Sequence, residues 1–270
     1  MTTHSTPGRP VDTYRQVRQA EIFASQHRPG EPLLLLANAC DVGSAVAIAR
    51  AGAKAIATTS AGVAWCLGLP DATDLGPDRA AAVVERIVGA VPVPVSADIE
   101  DGYGPGPDAV AATVTAVVQA GPVGVYLEDR SGRAGAPLFT RPNRPNGSPP
   151  RVASRFHCGS TRGPTSSLPA RTRRTAAGRR AGAGRKLRGA SADSLFVPGL
   201  IDLDAIAELA AGPLSVAVMV WAGAPTVADL ASAGVARINL GSAIARTAYA
   251  VAARAATVTC PASRLRPRPL

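Results

Sequence analysis

Short, wholly apolar runs alternate along the chain with longer stretches whose apolar residues recur every three or four positions. Pro32–Ala39 (PLLLLANA), Ala53–Ser60 (AKAIATTS), Val93–Asp98 (VPVSAD) and Val123–Asp129 (VGVYLED) are of the first kind. DVGSAVAIARAG, Gly76–Val91 (GPDRAAAVVERIVGAV) and Gly106–Gly121 (GPDAVAATVTAVVQAG) are of the second; the last two open on proline. The same alternation resumes at Asp193. Strand-like DSLFVPG, LSVAVMV and VARINLG are interleaved with helix-like LDAIAELAAG, TVADLASAG and SAIARTAYAVAARAA. The apolar runs do not alternate with polar residues, as expected of strands in a sheet covered by helices on both faces.

The βα unit repeats so often that the pattern predicts an α/β fold, a (β/α)8 TIM-type barrel rather than an open sheet. Seven strands are countable, four before residue 140 and three after 190. The barrel is therefore expected to be incomplete at its fifth strand. One barrel domain over 1–256, interrupted by an irregular segment at 140–190 and followed by a disordered tail at 257–270, is the predicted organisation.

Charge changes the picture in one place. The chain of 270 residues carries a net charge of +10, a figure that suggests nucleic-acid binding. But residues 141–190 hold 13 of the 29 Lys and Arg and none of the 19 Asp and Glu. The rest is mildly acidic. The basic block has no strand or helix period, is rich in Pro, Gly and Arg, and lacks the interleaved aromatics of a base-stacking surface. Nucleic-acid binding is the least favoured reading. No apolar run reaches the roughly 18 residues of a membrane span, and the first residues lack a signal-peptide core. A soluble, cytoplasmic protein is expected. Cys40, Cys66, Cys158 and Cys260 are widely spaced and read as reduced thiols, with Cys66 in a packing role. His4, His27 and His157 read as isolated surface or linker residues.

Candidate chemistry gathers where strands end, the place a parallel barrel puts its functional groups. Thr58–Gly62 (TTSAG), Ala97–Asp101 (ADIED), Tyr126–Arg130 (YLEDR) and Asp71 all fall there. Several acids at one mouth repel one another unless a cation neutralises them, and carboxylates with water are what magnesium prefers. The alternative, solvated loop acids or helix caps, is equally compatible with a motif as short as DxED. Tyr103 is equally a substrate contact or a loop-packing residue.

These residues resemble a known family. NACDVGSA, AIATTSAGVAWCLGLPD, VPVSADIEDGYG, AGPVGVYLEDR, ADSLFVPGL and GVARINLGSAIARTAY, in that order, are similar to the isocitrate lyase/phosphoenolpyruvate mutase superfamily over residues 15–139 and 190–256. The resemblance implies a (β/α)8 barrel, a homo-oligomer with a swapped helix, Mg2+, and cleavage or formation of C–C or P–C bonds next to a 2-oxo acid. By motif, Asp98 and Glu100 match the metal-site acids, and Glu128 a further metal-shell acid acting through water. Asp71 matches the gating-loop Asp, and Thr59, Ser60 and Ala61 the turn that holds the substrate carboxylate. Two departures matter. The loop after Glu128 reads RSGRAGAPLF, without the cysteine of the tricarboxylate lyases. That favours a phosphoenolpyruvate mutase-like branch or a small oxo-acid lyase or hydrolase. The family's fifth-strand Asn-Ala-Arg-Thr-Asp, whose Arg steadies the enolate, is absent.

That motif is recoverable in another reading frame. Cys158–Ser167 admits codons that, read two bases later, spell Trp-Val-Asn-Ala-Arg-Thr-Asp-Val-Phe. Arg141–Pro150 likewise hides Ala-Glu-Gln-Ala-Glu-Arg-Leu-Ala-Ala-Ala, a strong helix former. The protein sequence determines two of every three bases, so two family-like hits in one frame point to a frame-shifted segment at about 140–190. The expected function is a magnesium-dependent lyase or mutase acting on a small 2-oxo or enolpyruvate carboxylate. A pseudoenzyme that binds ligand or partner subunits without turnover is the alternative.

Overall fold

The apolar runs become eight parallel strands, and the periodic stretches become helices outside them. In this computed structural model the described residues are 12–28, 30–71, 75–104, 107–128 and 192–259, with the backbone of 154–158. The strands are β1 (Leu34–Ala39), β2 (Ile56–Thr58), β3 (Val95–Asp98), β4 (Gly124–Glu128), β5 (Ser154–Cys158), β6 (Ser194–Val197), β7 (Ser215–Met219) and β8 (Val235–Asn239). Each pairs in parallel with the next in sequence, and β8 returns to β1 with Leu36 opposite Asn239, so the sheet closes on itself.

The helices are α1 (Thr13–Ser25), α2 (Val42–Arg50), α3 (Ser60–Cys66), α4 (Pro77–Ala90), α5 (Pro107–Gln119), α6 (Leu203–Ala210), α7 (Val227–Ser232) and α8 (Ala243–Thr259). Their starts follow the capping chemistry. Asp41 and Ser44 form a reciprocal capping box on α2, as Thr226 and Asp229 do on α7, and Asp202 caps α6. Pro77 begins α4 behind Gly76, which holds φ near 75°.

Outside the barrel, α4 and α5 bury Val84, Val110, Val114 and Val117 against β3 and β4, and α6 buries Ile206 and Leu209 against β6–β8. Inside and below, Phe23 of α1 is fully buried with Leu34, Leu36, Ala57 and Tyr126, so α1 plugs the end opposite the strand C-termini. Removing a plug of this size costs on the order of 3–5 kcal/mol.

The TIM-type barrel matches the sequence expectation. The expectation of no strand within 140–190 is corrected for five residues. The backbone of β5 pairs with both β4 and β6, Glu128 opposite Cys158 and Cys158 opposite Phe196. SRFHC has no apolar run, so the periodicity gives no signal for it. The segments after β4 and β5, 129–153 and 159–191, where the irregular segment is expected, lie outside the described residues. Helix α8 continues to Thr259, into the stretch read as a tail; residues 260–270 lie outside the described residues.

Candidate active site

Strand ends and the turns after them place the predicted acids around one cavity of about 260 Å³ at the C-terminal mouth of the barrel. Asp71, Asp98, Glu100, Asp101 and Glu128 line it, together with Thr59, Ser60 and Ala61. Among the described residues no Lys, Arg or His lines it. Asp98 ends β3, and its carboxylate is held from two sides. Oδ2 accepts the Ser60 backbone N–H at 3.0 Å, and Oδ1 accepts the Glu100 N–H at 3.1 Å. The Asp98 N–H in turn donates to Thr58 Oγ1 at 2.8 Å. Three backbone segments thus orient one carboxylate. Beyond it the chain turns sharply. Glu100 and Tyr103 adopt positive φ of 49° and 53°, strained values that a site can hold when its surroundings over-determine them. The Glu128 N–H donates to the Glu100 carbonyl, tying the two acid-bearing loops together.

The electrostatics follow from this crowding. Burial pushes the Glu100 carboxyl up to about 8, reinforced by the charges of Asp98, Glu128, Asp101 and Asp71. Asp98 is also raised by burial, against the pull of its two backbone donors. A cavity that raises the pKa of its own acids favours a cation. The donors are all oxygen, which suits magnesium. Asp98, Glu100 and Glu128 do not bring one oxygen each within 4.8 Å of one another. An ion there would take at most two of these carboxylates directly and water for the rest, as magnesium commonly does.

Tyr103 does not line the cavity. It is buried with Val63, Leu75, Val110 and Val114, the loop-packing alternative. Asp129 lies outside the described residues. Asn38, Tyr126, Asn239, Gly241 and Ser242 also line the cavity. Asn38 Oδ1 accepts the Leu240 and Gly241 N–H groups, both at 3.0 Å, and its Nδ2 donates to the Thr58 carbonyl. It therefore joins the β1, β2 and β8 ends. Asn239 Nδ2 donates to Tyr126 Oη at 3.3 Å, and below them Arg237 is fully buried, its guanidinium 4.7 Å from the Tyr126 ring centre. Arg237 Nη1 lies 3.2 Å from His27 Nε2, so His27 is a half-buried partner at the base of the barrel and not an isolated surface residue. Burial, then the Arg237 charge, lowers its pKa to about 4. For Asn38, Tyr126, Arg237 and Asn239 the signal was a polar residue inside an otherwise apolar strand.

Comparisons with known proteins find similar chains. The pattern of the phosphoenolpyruvate phosphomutase family matches residues 23–146 and 164–259. No curated protein matches the sequence. A crystal structure of a candidate lyase/mutase from Burkholderia cenocepacia J2315 is 32% identical and superposes with a TM-score of 0.74, covering 90% of this chain and 88% of that one. A candidate phosphonomutase from the same organism is 32% identical, with a TM-score of 0.71 over 90% of this chain and 98% of that one. A phosphonopyruvate hydrolase in complex with oxalate and Mg2+ shares the fold at 17% identity, with a TM-score of 0.72 over 93% and 92%. No helix among the described residues is long and apolar enough to cross a membrane. With the motifs in order along the barrel and the family pattern covering most of its length, the chain belongs to the phosphoenolpyruvate phosphomutase family, lyases and mutases of the isocitrate lyase/phosphoenolpyruvate mutase superfamily.

Proposed function

We propose that this barrel binds a small 2-oxo acid or enolpyruvate-type carboxylate with Mg2+ and breaks or moves the C–C or P–C bond beside the carbonyl, leaving an enolate. The observation that carries this is the convergence of Asp98, Glu100, Glu128, Asp71 and the Thr59–Ala61 turn on one small cavity. Asp98 and Glu100 would hold the ion, and Glu128 would reach it through water. Magnesium, when bound, supplies Lewis-acid polarisation of the 2-oxo carbonyl. The chain's own residues do the rest. The Ser60 N–H is already given to Asp98, which aims that carboxylate into the cavity. The Thr59 and Ser60 hydroxyls and the Ala61 N–H would then hold the substrate carboxylate. Asp71, at the rim, would close over the bound substrate.

Thermal shift with magnesium and oxalate tests the binding half, and turnover of a panel of 2-oxo acids and phosphonopyruvate tests the chemistry. A magnesium-dependent shift with oxalate is expected. Its absence would sink the reading; binding without turnover would favour the pseudoenzyme. That second reading has its own support. The residues of β5 and those after it do not contain Asn-Ala-Arg-Thr-Asp, and the family match breaks at 147–163, a gap that overlaps the start of Cys158–Ser167, whose codons hold that motif in the shifted frame. We therefore also propose that about 140–190 is translated out of frame. The gene sequence decides it: the codons of Cys158–Ser167 must yield the motif two bases on.

A cytoplasmic homo-oligomer completes the reading. Leu35 on β1 is 56% exposed, although barrel strands are normally covered by helices, and Val251 and Val258 on α8 are 50% and 80% exposed. A second copy covering these side chains would account for them.

A further inference from the structure

A second group of ligand-type side chains stands outside the acidic cavity. Cys40 follows β1, Asp41 caps α2, and Cys66 is the last residue of α3. One ligand atom from each lies within 4.8 Å of the others, the one such group among the described residues. None of the three lines the cavity at the mouth. Cys66 Sγ is 3.8 Å from Asp41 Oδ2 and 3.1 Å from Tyr249 Oη of α8. We propose that Cys40, Asp41 and Cys66 form a zinc site, with Tyr249 or a water completing a tetrahedron.

The geometry and donor chemistry agree. With Zn–S near 2.3 Å and Zn–O near 2.1 Å, tetrahedral ligands stand roughly 3.6–3.8 Å apart. The observed separations need small side-chain adjustments only. Two thiols select a soft divalent ion, so this site and the all-oxygen site at the mouth take different metals. Asp41 is already oriented for its part. Its Oδ1 accepts the Ser44 N–H at 2.7 Å as the α2 cap, which leaves Oδ2 turned toward Cys66. Such outer hydrogen bonds are what fix a metal-binding carboxylate. Ser44 Oγ also accepts the N–H groups of Cys40 and Asp41 at 3.0 and 3.1 Å, which holds the two adjacent ligands together. Cys40 is buried while Asp41 and Cys66 are exposed, so the site has a buried anchor and an open entry. The nearby cation, Arg246, stacks on Trp65 at 5.1 Å.

An ion here would clamp the C-terminal end of α3 to the end of β1. Helix α3 begins at the turn that lines the acidic cavity, so the clamp would stiffen that turn from behind. On binding, each thiol gives up its proton to solvent, and the hydrated ion gives up all its waters save the one that completes the tetrahedron where Tyr249 does not.

The test uses the full chain, reduced and free of metal. Titration with cobalt(II) should raise a thiolate-to-cobalt charge-transfer band that saturates at one equivalent, and zinc should remove it. Zinc should also raise the melting temperature. Cys40→Ser and Cys66→Ser should each lose the band. Their zinc affinity should fall by more than the roughly 10–100-fold that loss of an outer partner costs. Cys158→Ser/Cys260→Ser and Asp98→Asn should keep the band, the second because the magnesium site is separate. The proposal fails if the unmutated chain shows no cobalt–thiolate band. It fails equally if Cys158→Ser/Cys260→Ser abolishes the band, or if air oxidises Cys40 and Cys66 to a disulfide as fast with zinc as without it.

Discussion

Asp98 is the residue on which the mouth of the barrel turns. Its two oxygens are held by Ser60 and Glu100, so it fastens α3 to β3 and would aim the face proposed to bind the metal. Asp98→Ala should abolish magnesium-dependent oxalate binding in calorimetry, and unchanged binding would reject the site. Asp98→Asn keeps the shape but turns its amide NH2 toward one of the two backbone N–H donors, so it should lose some stability as well as fail to bind. Glu100 governs the pH dependence. Its pKa of about 8 in the fold lies above the ordinary carboxylate value of 4.5. Between these pH values the folded state holds a proton that the unfolded chain has released. Stability without metal is therefore fully present below about pH 4.5 and is lost as pH rises through about 8. Magnesium competes with that same proton, so its affinity should rise from pH 6.5 to pH 8.5. Glu100→Gln should flatten both profiles, measured by thermal melts with and without magnesium. A parent chain whose metal-free melting temperature climbs across that range would contradict the assignment.

At the scale of elements, close seating of α3 is what makes the turn a binding surface. A Cβ added at Gly62 would stand 2.7 Å from Thr59 Cγ2 and 2.8 Å from Cys40 Cβ. Such contacts force the helix off β1. Gly62→Ala should cost about 1–3 kcal/mol by overpacking, and oxalate affinity should fall further because Thr59 and Ser60 move with the helix. Denaturant melts and calorimetry on the same variant separate the two effects; a stability loss with intact oxalate binding would show the turn to be independent of its seat. The elements themselves were legible because their physics is local. Runs such as LLLLANA, and caps such as Asp41 and Pro77, carry their own instructions. So was the acidic mouth, since ADIED and YLEDR end strands. Legibility fails where partners are distant. Arg237 reads as one charge in VARINLG, and only the closed barrel brings it under Tyr126 and beside His27. Tyr103 could not be placed because a loop's direction depends on what packs beneath it, here Val110 and Val114. Strand β5 was invisible because SRFHC has no apolar run like those of the other strands, and its polar–apolar alternation is too short to stand out within the basic block. Its position is specified by the exposed edges of β4 and β6.

Those edges set the behaviour of the whole molecule. A parallel barrel is stable because no strand is left with unpaired backbone groups and every strand is covered. Here the neighbours of β5 are paired by a five-residue segment drawn from a block with 13 cations and no acids. Like charges in a short length of chain repel, and Pro and Gly oppose helix formation over the strand. The shifted frame offers the opposite: an Ala- and Glu-rich helix former and a strand ending in Asn-Ala-Arg-Thr-Asp. If the block is a translation error, a gene repaired over codons 140–190 should yield a chain that gains one strand's worth of buried apolar surface and a covering helix. A gain on the order of 5 kcal/mol corresponds to a melting temperature about 10–20 °C higher for a domain of this size. Light scattering should show the repaired chain as one discrete oligomer, with the present chain broader and prone to aggregate. Turnover should appear in the repaired chain, because the Arg at the end of the restored strand would supply positive charge where the enolate forms. The Cys40–Cys66 zinc site should be unaffected, because none of its ligands falls in the altered segment. If the two chains melt together and turn over alike, the basic block is a tolerated connection and the frame-shift proposal is wrong.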